Sequence, residues 1–205
     1  MSEIKCLKNF TKSWSGENLQ PLTESHLKKI RRGGTYAEIL NADDFIKPIF
    51  DIDLKVAGGE GDTIDYSKWI DPIVEIIDSA MAEKLGEEYM DSLVATSSGW
   101  NKEKKSHYVS LHITYPKTKI LFKNMILLGG DLGFVKGETM ICEKKDIRFE
   151  FEIDWAIYEK SRQCIRLINQ DKPLNNGGRA GRKKVKYPTT STAPDWDYVI
   201  SNVAE

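Results

Sequence analysis

Residues 48–55 read PIFDIDLK, an apolar run in which Asp51 and Asp53 take every second place. In a strand, alternate side chains face opposite sides. Phe50, Ile52 and Leu54 therefore share one face, and Asp51 and Asp53 share the other. Aspartate is disfavoured in strands. Two like charges side by side are unfavourable unless a cation neutralises them or one takes up a proton. The pair calls for a chemical reason.

The flanking chain supplies the frame. AGGEGD (57–62) reads as a flexible loop. In DYSKWIDPIVEIIDSAMAEKLG (65–86), Trp69, Ile73, Ile76, Ile77, Ala80 and Leu85 recur at helical spacing. Asp65 or Ser67 is placed to cap that helix and Gly86 to end it. SLVATSS (92–98) and YVSLHITY (108–115) read as strands, joined by the polar, basic WNKEKKSH (100–107). KILFKNMILLGG (119–130) suits a short helix, and DIRFEFEID (146–154) alternates as a strand. The order is β-α-β-β-α-β, which predicts an α+β fold with an RRM-like antiparallel sheet, helices on one face and the other face open. Upstream, TESHLKKIRRGGTYAEIL (23–40) reads as a short helix stopped at Gly33-Gly34 and then a second one. Downstream, CIRLIN (164–169) reads as one more strand and NNGGRAGRKKVK (175–186) as a Gly-rich basic loop.

The polar faces of three strands meet if their apolar faces all pack on the helices. Asp51 and Asp53, Ser110 and His112, and Glu152 and Asp154 would then share one surface. Carboxylate oxygens in such a cluster suit Mg²⁺ or Mn²⁺. Two such ions would activate an attacking oxygen and stabilise a leaving one in phosphoryl transfer.

The chain has 205 residues, 40% hydrophobic and 30% charged, with a net charge of −1 from 30 Lys/Arg against 31 Asp/Glu. That composition is globular, and nucleic-acid binding would have to come from local patches rather than a global field. Cys6, Cys142 and Cys164 lie far apart, and no Cys/His set of zinc spacing is present, so neither a disulfide framework nor a zinc site is expected. The first residues have no signal-peptide core and no run reaches transmembrane length, which predicts an intracellular protein away from membranes. The expected organisation is one domain over 1–205: an N-terminal element (1–44), a motif-bearing core (45–170) and a basic C-terminal segment (171–205), a candidate fragment of a longer protein.

These residues resemble the motifs of the archaeo-eukaryotic primase superfamily, and most of all its PrimPol-like and large-DNA-virus branches. FDID (50–53) is similar to the DxD motif. SLH (110–112), preceded by the basic KEKKSHYV (102–109), is similar to the SxH motif. EIDWAIYEKSRQCIRLI (152–168) is similar to the third motif. The resemblance implies that Asp51, Asp53 and Asp154 bind catalytic metals. It implies that Ser110, His112 and a third-motif arginine contact the triphosphate of an incoming NTP or dNTP. The stretch from Tyr158 to Arg166 is one position longer than the family's, so Arg162 and Arg166 both stay open. Lys105 is a further candidate at the nucleotide. Basic clusters at 28–32 and 177–186, with Arg31, Arg32, Arg179, Arg182 and Lys183, are candidates for a single-stranded DNA template, and Tyr36 and Trp100 for base stacking. In viral members of that superfamily a helicase commonly follows, a candidate partner here; no P-loop motif occurs in this chain. The expected activity is primer synthesis for DNA replication. Another two-metal phosphoryl enzyme such as a nuclease, or a non-catalytic single-strand-binding module, is the rival reading.

Overall fold

The structure, a computed structural model, describes residues 5–7, 19–30, 35–87, 91–144, 147–173 and 179–203. β1 (Lys5–Leu7), β2 (Leu19–Pro21) and α1 (Glu24–Ile30) precede β3 (Ala37–Asn41), β4 (Phe45–Ile46) and β5 (Ile49–Val56). The long helix α2 (Ser67–Leu85) leads to β6 (Leu93–Thr96), β7 (Gly99–Asn101) and β8 (Ser106–Thr114). β9 (Ile120–Leu121) and α3 (Met125–Asp131) come next, then a hairpin of β10 (Met140–Lys144) and β11 (Ile147–Phe151). β12 (Arg162–Arg166), β13 (Asp171–Pro173), β14 (Arg179–Lys183) and β15 (Val185–Tyr187) follow. The fold is mixed α+β with antiparallel sheets. Among the described residues no helix is long and apolar enough to cross a membrane.

The central sheet runs β15-β6-β8-β5, with β7 also paired to β8. Its spine is the pair β5–β8, in continuous antiparallel register from Ile49↔Thr114 to Val56↔His107. One-sided burial makes this arrangement. Phe50, Ile52, Val109, Leu111 and Ile113 are sealed from solvent, as are Ile73, Ile77 and Met81 of α2, and all belong to one apolar core. Each such side chain contributes about 1.5–3 kcal/mol on leaving water, which ties the polar residues of β5 and β8 to the opposite face. Gly86 ends α2 at φ 111°, a conformation that a side chain would strain, and returns its N–H to the Ala82 carbonyl. At the start of α2 neither expected cap acts: Tyr66 holds the cap position without a side-chain bond. The Asp65 carboxylate instead accepts from the Ser67 amide (3.2 Å) and hydroxyl (2.6 Å). The Gly-rich loop after β5 is tethered, because His107, which is 3% exposed, bonds the Gly59 carbonyl (2.7 Å) and the Tyr66 hydroxyl (2.6 Å).

Several expectations are corrected. TYAEIL is no helix: residues 37–41 form β3, the partner of β12 in a second antiparallel sheet ordered β12-β3-β1-β2. CIRLIN does contribute a strand, but to that second sheet. The expected fourth strand of the core forms as β11, yet it pairs with β10, and only Ile153 beyond it bridges to Ile52 of β5. The segment 175–186 is no simple loop within its described part, for β14 pairs with β13 and β15 with β6.

Candidate functional site

Register alone assembles half of the site. Across β5 and β8, Asp51 faces His112 and Asp53 faces Ser110, and directly paired residues of antiparallel strands project to the same side. His112 Nε2 lies 3.3 Å from Asp51 Oδ1, in a setting that leaves the two side chains 14% and 19% exposed. Asp53, one strand step away, is exposed.

Asp154 arrives from a hundred residues downstream by backbone pairing. After the Ile52–Ile153 bridge its amide donates to the Asp51 carbonyl at 2.8 Å. Its carboxylate accepts from the Ala156 amide at 3.1 Å and so caps the 3₁₀ turn Trp155–Ile157. Tyr158, which closes that turn and is 4% exposed, donates its hydroxyl to the Ile49 carbonyl and accepts from the Asp51 amide. The turn at 155–157 is thus stitched to β5 on both sides of Asp51.

The carboxylates feel one another. Burial, and then the charges of Asp51 and Asp53, push the Asp154 pKa up against the Ala156 amide and Lys160. For Asp51, burial works upward, but His112, Lys184 and Lys172 outweigh it and hold the carboxyl below its usual range. Glu152 is exposed, accepts from the Thr139 hydroxyl (2.9 Å), and is not among the main charges acting on Asp51 or Asp154.

A basic wall faces this acidic one. Arg166, at the end of β12, donates to the Arg182 carbonyl (2.9 Å) and the Ser97 hydroxyl (2.6 Å). Burial and the nearby Arg182 bring its pKa down to about 10, against the pull of Asp51, Asp53 and Asp171, so it stays cationic at neutral pH. Burial also lowers Lys172 and Arg182, and Asp53 is the foremost opposing charge on each. Lys184 is buried, 4% exposed, and reaches His112. Sequence reasoning missed Lys172 and Lys184. The latter sits in a run of basic residues, where no periodicity marks one lysine as buried.

Other candidates lie elsewhere. Arg162 is exposed at the opposite end of β12, its Nε donating to Asn41 Oδ1 at 3.1 Å. Four strand residues put it about 13 Å from Arg166 along the backbone. Of the two arginines left open, the structure brings Arg166 to the aspartates. Lys105 occupies an exposed turn at φ 47°. It is about 17 Å along the backbone from Ser110. Lys183 is exposed on β14, and the side chain of Arg179 and both Arg31 and Arg32 lie outside the described residues. Tyr36 and Trp100 are half-buried and take ring partners within the chain, His26 at 6.0 Å and His107 at 5.0 Å.

As a donor set, Asp51, Asp53 and Asp154 are hard oxygens whose mutual repulsion a divalent cation would relieve. Among the described residues no three His, Cys, Asp or Glu side chains converge into a ready ligand cage. No protein-family model matches the chain, and no curated protein matches it.

Proposed function

We propose that this chain is the catalytic core of a DNA primase or primase-polymerase, which joins NTPs or dNTPs along a single-stranded DNA template with Mg²⁺ or Mn²⁺. One observation carries the reading: three aspartates from two distant segments share a field on the polar side of β5 and β8, and Arg166, Lys172 and Arg182 stand against them. An acidic wall facing a basic one suits a metal–triphosphate, whose cations and phosphates need opposite partners. An acidic face alone would repel a single strand, and binding modules of RRM type carry aromatics there instead.

The sheet supports the reading further. Its core strands come in the order β5, β6, β8, then the Ile153 bridge, and lie side by side as β6-β8-β5-Ile153, all antiparallel. An RRM-like split βαβ sheet would have its strands in this order. Asp51, Asp53 and Asp154 would hold the metal, which supplies charge neutralisation at the reacting phosphate. Two guanidinium nitrogens of Arg166 are engaged by protein, and its remaining N–H donors are left for phosphate oxygens. His112 has both ring nitrogens occupied, by Asp51 and Lys184, so in this arrangement it orients a carboxylate.

The test is primer synthesis and extension on single-stranded DNA, with NTPs and dNTPs supplied separately and with either metal, beside a nuclease assay. Asp51→Ala and Asp53→Ala each abolish nucleotide addition while the far-ultraviolet circular dichroism stays that of the parent. A folded double variant with undiminished addition would falsify the proposal, and metal-dependent strand cleavage without addition would turn it into a nuclease.

A further inference from the structure

Three cations face the aspartates, and each stands at its own place along the strands. Register marks the places. Asp51 faces His112, Asp53 faces Ser110 and Lys55 faces Tyr108, so these pairs project to one side. Gly99 of β7 pairs with Tyr108 on the other edge of β8. It sits at φ 155°, a conformation that favours glycine, and a Cβ placed on it would lie 3.4 Å from Arg182 Cδ and 3.9 Å from Cγ. The aliphatic stem of Arg182 therefore crosses the same polar side beside Tyr108, where Gly99 leaves it room. From the Asp51–His112 pair to the Lys55–Tyr108 pair is four residues of strand, about 13 Å. The opposing charges follow that order. Of the site's aspartates, Arg166 feels Asp51 and then Asp53, Lys172 feels Asp53 and then Asp51, and Arg182 feels Asp53, followed by Tyr66 and Tyr108.

The two ends differ in kind. Asp154 joins at the Asp51 end, its amide 2.8 Å from the Asp51 carbonyl, so two of the three carboxylates stand there. Arg166 at that end is gripped by two bonds, to the Ser97 hydroxyl and the Arg182 carbonyl. The Arg182 guanidinium is not gripped. Among the described residues it makes one protein hydrogen bond, from Nη1 to the Ser97 carbonyl at the long distance of 3.5 Å. A guanidinium carries five N–H donors in a fixed fork. Half-buried and with the rest of its donors unengaged, this one is suited to bidentate capture of an oxyanion.

We propose that Arg182 takes the last phosphate of the bound nucleotide and makes the site select triphosphates over diphosphates. The assignment rests on the metal–triphosphate reading above and gives it a direction. The phosphate under attack lies with the carboxylates at the Asp51 end, and the phosphate chain runs along β5 and β8 toward Tyr108. A diphosphate makes the contacts of a triphosphate except the one with Arg182.

Calorimetry reads nucleotide binding with Mg²⁺ and a primed single-stranded DNA whose primer ends in a dideoxynucleotide, so that no addition occurs. The parent binds dATP opposite a template thymine more tightly than dADP. Arg182→Gln keeps the carbonyl that Arg166 uses. It weakens dATP by about 10–100-fold, the loss expected for a hydrogen bond to a charged group, and changes dADP by less than about twofold. Arg182→Lys, a point charge without the fork, falls between. An equal loss for both nucleotides, or unchanged dATP binding, overturns the proposal, as does a parent that does not tell dATP from dADP. Circular dichroism checks the fold of each variant. Should Arg182→Gln unfold, Arg182→Lys carries the comparison, and a preference for dATP as strong as the parent's overturns the proposal.

The parent is then given an extendable primer. Selective binding of dATP without any nucleotide addition leaves Arg182 in its role and removes the primase reading. Nucleotide addition by a parent that binds dATP and dADP alike does the reverse.

Discussion

Asp154 is held in a state that favours its proton. Burial and the charges of Asp51 and Asp53 raise its pKa, so between the usual carboxylate value and the raised one the folded chain binds a proton that the unfolded chain has released. Stability therefore falls as pH rises through that window, and the deficit persists above it. Asp154→Asn keeps an acceptor for the Ala156 amide and removes the charge. Without divalent ions this variant melts higher than the parent at pH 7. Asp154 is exposed, so solvent screening keeps the gain to about 1–2 °C. The gain vanishes below the ordinary carboxylate range, where both states are protonated. Mg²⁺ raises the melting temperature of the parent more than that of the variant. Melting curves with and without Mg²⁺ at two pH values check all of this, and a variant that melts lower than the parent at neutral pH would show that the carboxylates do not repel.

At the scale of elements, short α3 matters because it abuts the turn after Asp154. A Cβ on Gly129 would lie 2.0 Å from Trp155 Cη2 and 2.7 Å from Cζ3, whereas one on Gly130 would meet nothing within 4 Å. Trp155 is 6% exposed and has no room to retreat. Gly129→Ala therefore destabilises by about 1–3 kcal/mol through overpacking, and the displaced indole drags Asp154 with it, so nucleotide addition falls as well. Gly130→Ala instead gains up to about 1 kcal/mol from helix propensity with activity unchanged. Urea titrations beside the extension assay check the pair, and equal stabilities would mean that α3 is not wedged on Trp155. Elements with one buried face were legible in the sequence: β5, β8 and α2 carry that face as a period of 2.0 or 3.6. β3 was not, since four of its five residues are buried and a short run without alternation does not tell strand from helix. β14 and β15 were hidden for the opposite reason. β14 reads RAGRK and β15 only VKY, and pairing with β13 and β6 holds them rather than an apolar stripe.

Taken whole, the two largest antiparallel sheets of the described residues meet at the site, and this is why its acidic half was readable and its basic half was not. Asp51 and Asp53 declare themselves by alternation within one strand. Arg162 and Arg166 are two strand steps apart on the same face of β12, and only the pairing of β12 with β3 decides which end reaches the aspartates. The same pairing places Glu38 of β3 between the two sheets, where its carboxylate accepts from the Ile200 amide (2.9 Å), the Ser201 amide (3.1 Å) and the Ser201 hydroxyl (2.9 Å). Nearby, Lys47 is 3% exposed and donates to the Asp197 carbonyl at 2.6 Å, and Lys186 pairs with Asp195 at 2.8 Å. Residues 195–201 thus form a strap whose backbone bonds two buried ionisable side chains. Val199 and Ile200 on that strap are themselves buried. Deleting residues 195–205 leaves the Glu38 carboxylate and the Lys47 ammonium without these partners. Leaving a buried polar group without its hydrogen-bond partners costs about 1–3 kcal/mol, and more for a charged one, a large part of the roughly 5–15 kcal/mol that holds a domain together. The shortened chain is expected to lose its cooperative thermal transition and its nucleotide addition together. Ser201→Ala removes one hydroxyl and leaves both amides, so it costs only about 1.5–3 kcal/mol, the range for one hydrogen bond to a charged group. Calorimetry of the two proteins separates the contributions, and a truncated chain that melts at the parental temperature would mean that Glu38 and Lys47 find other partners.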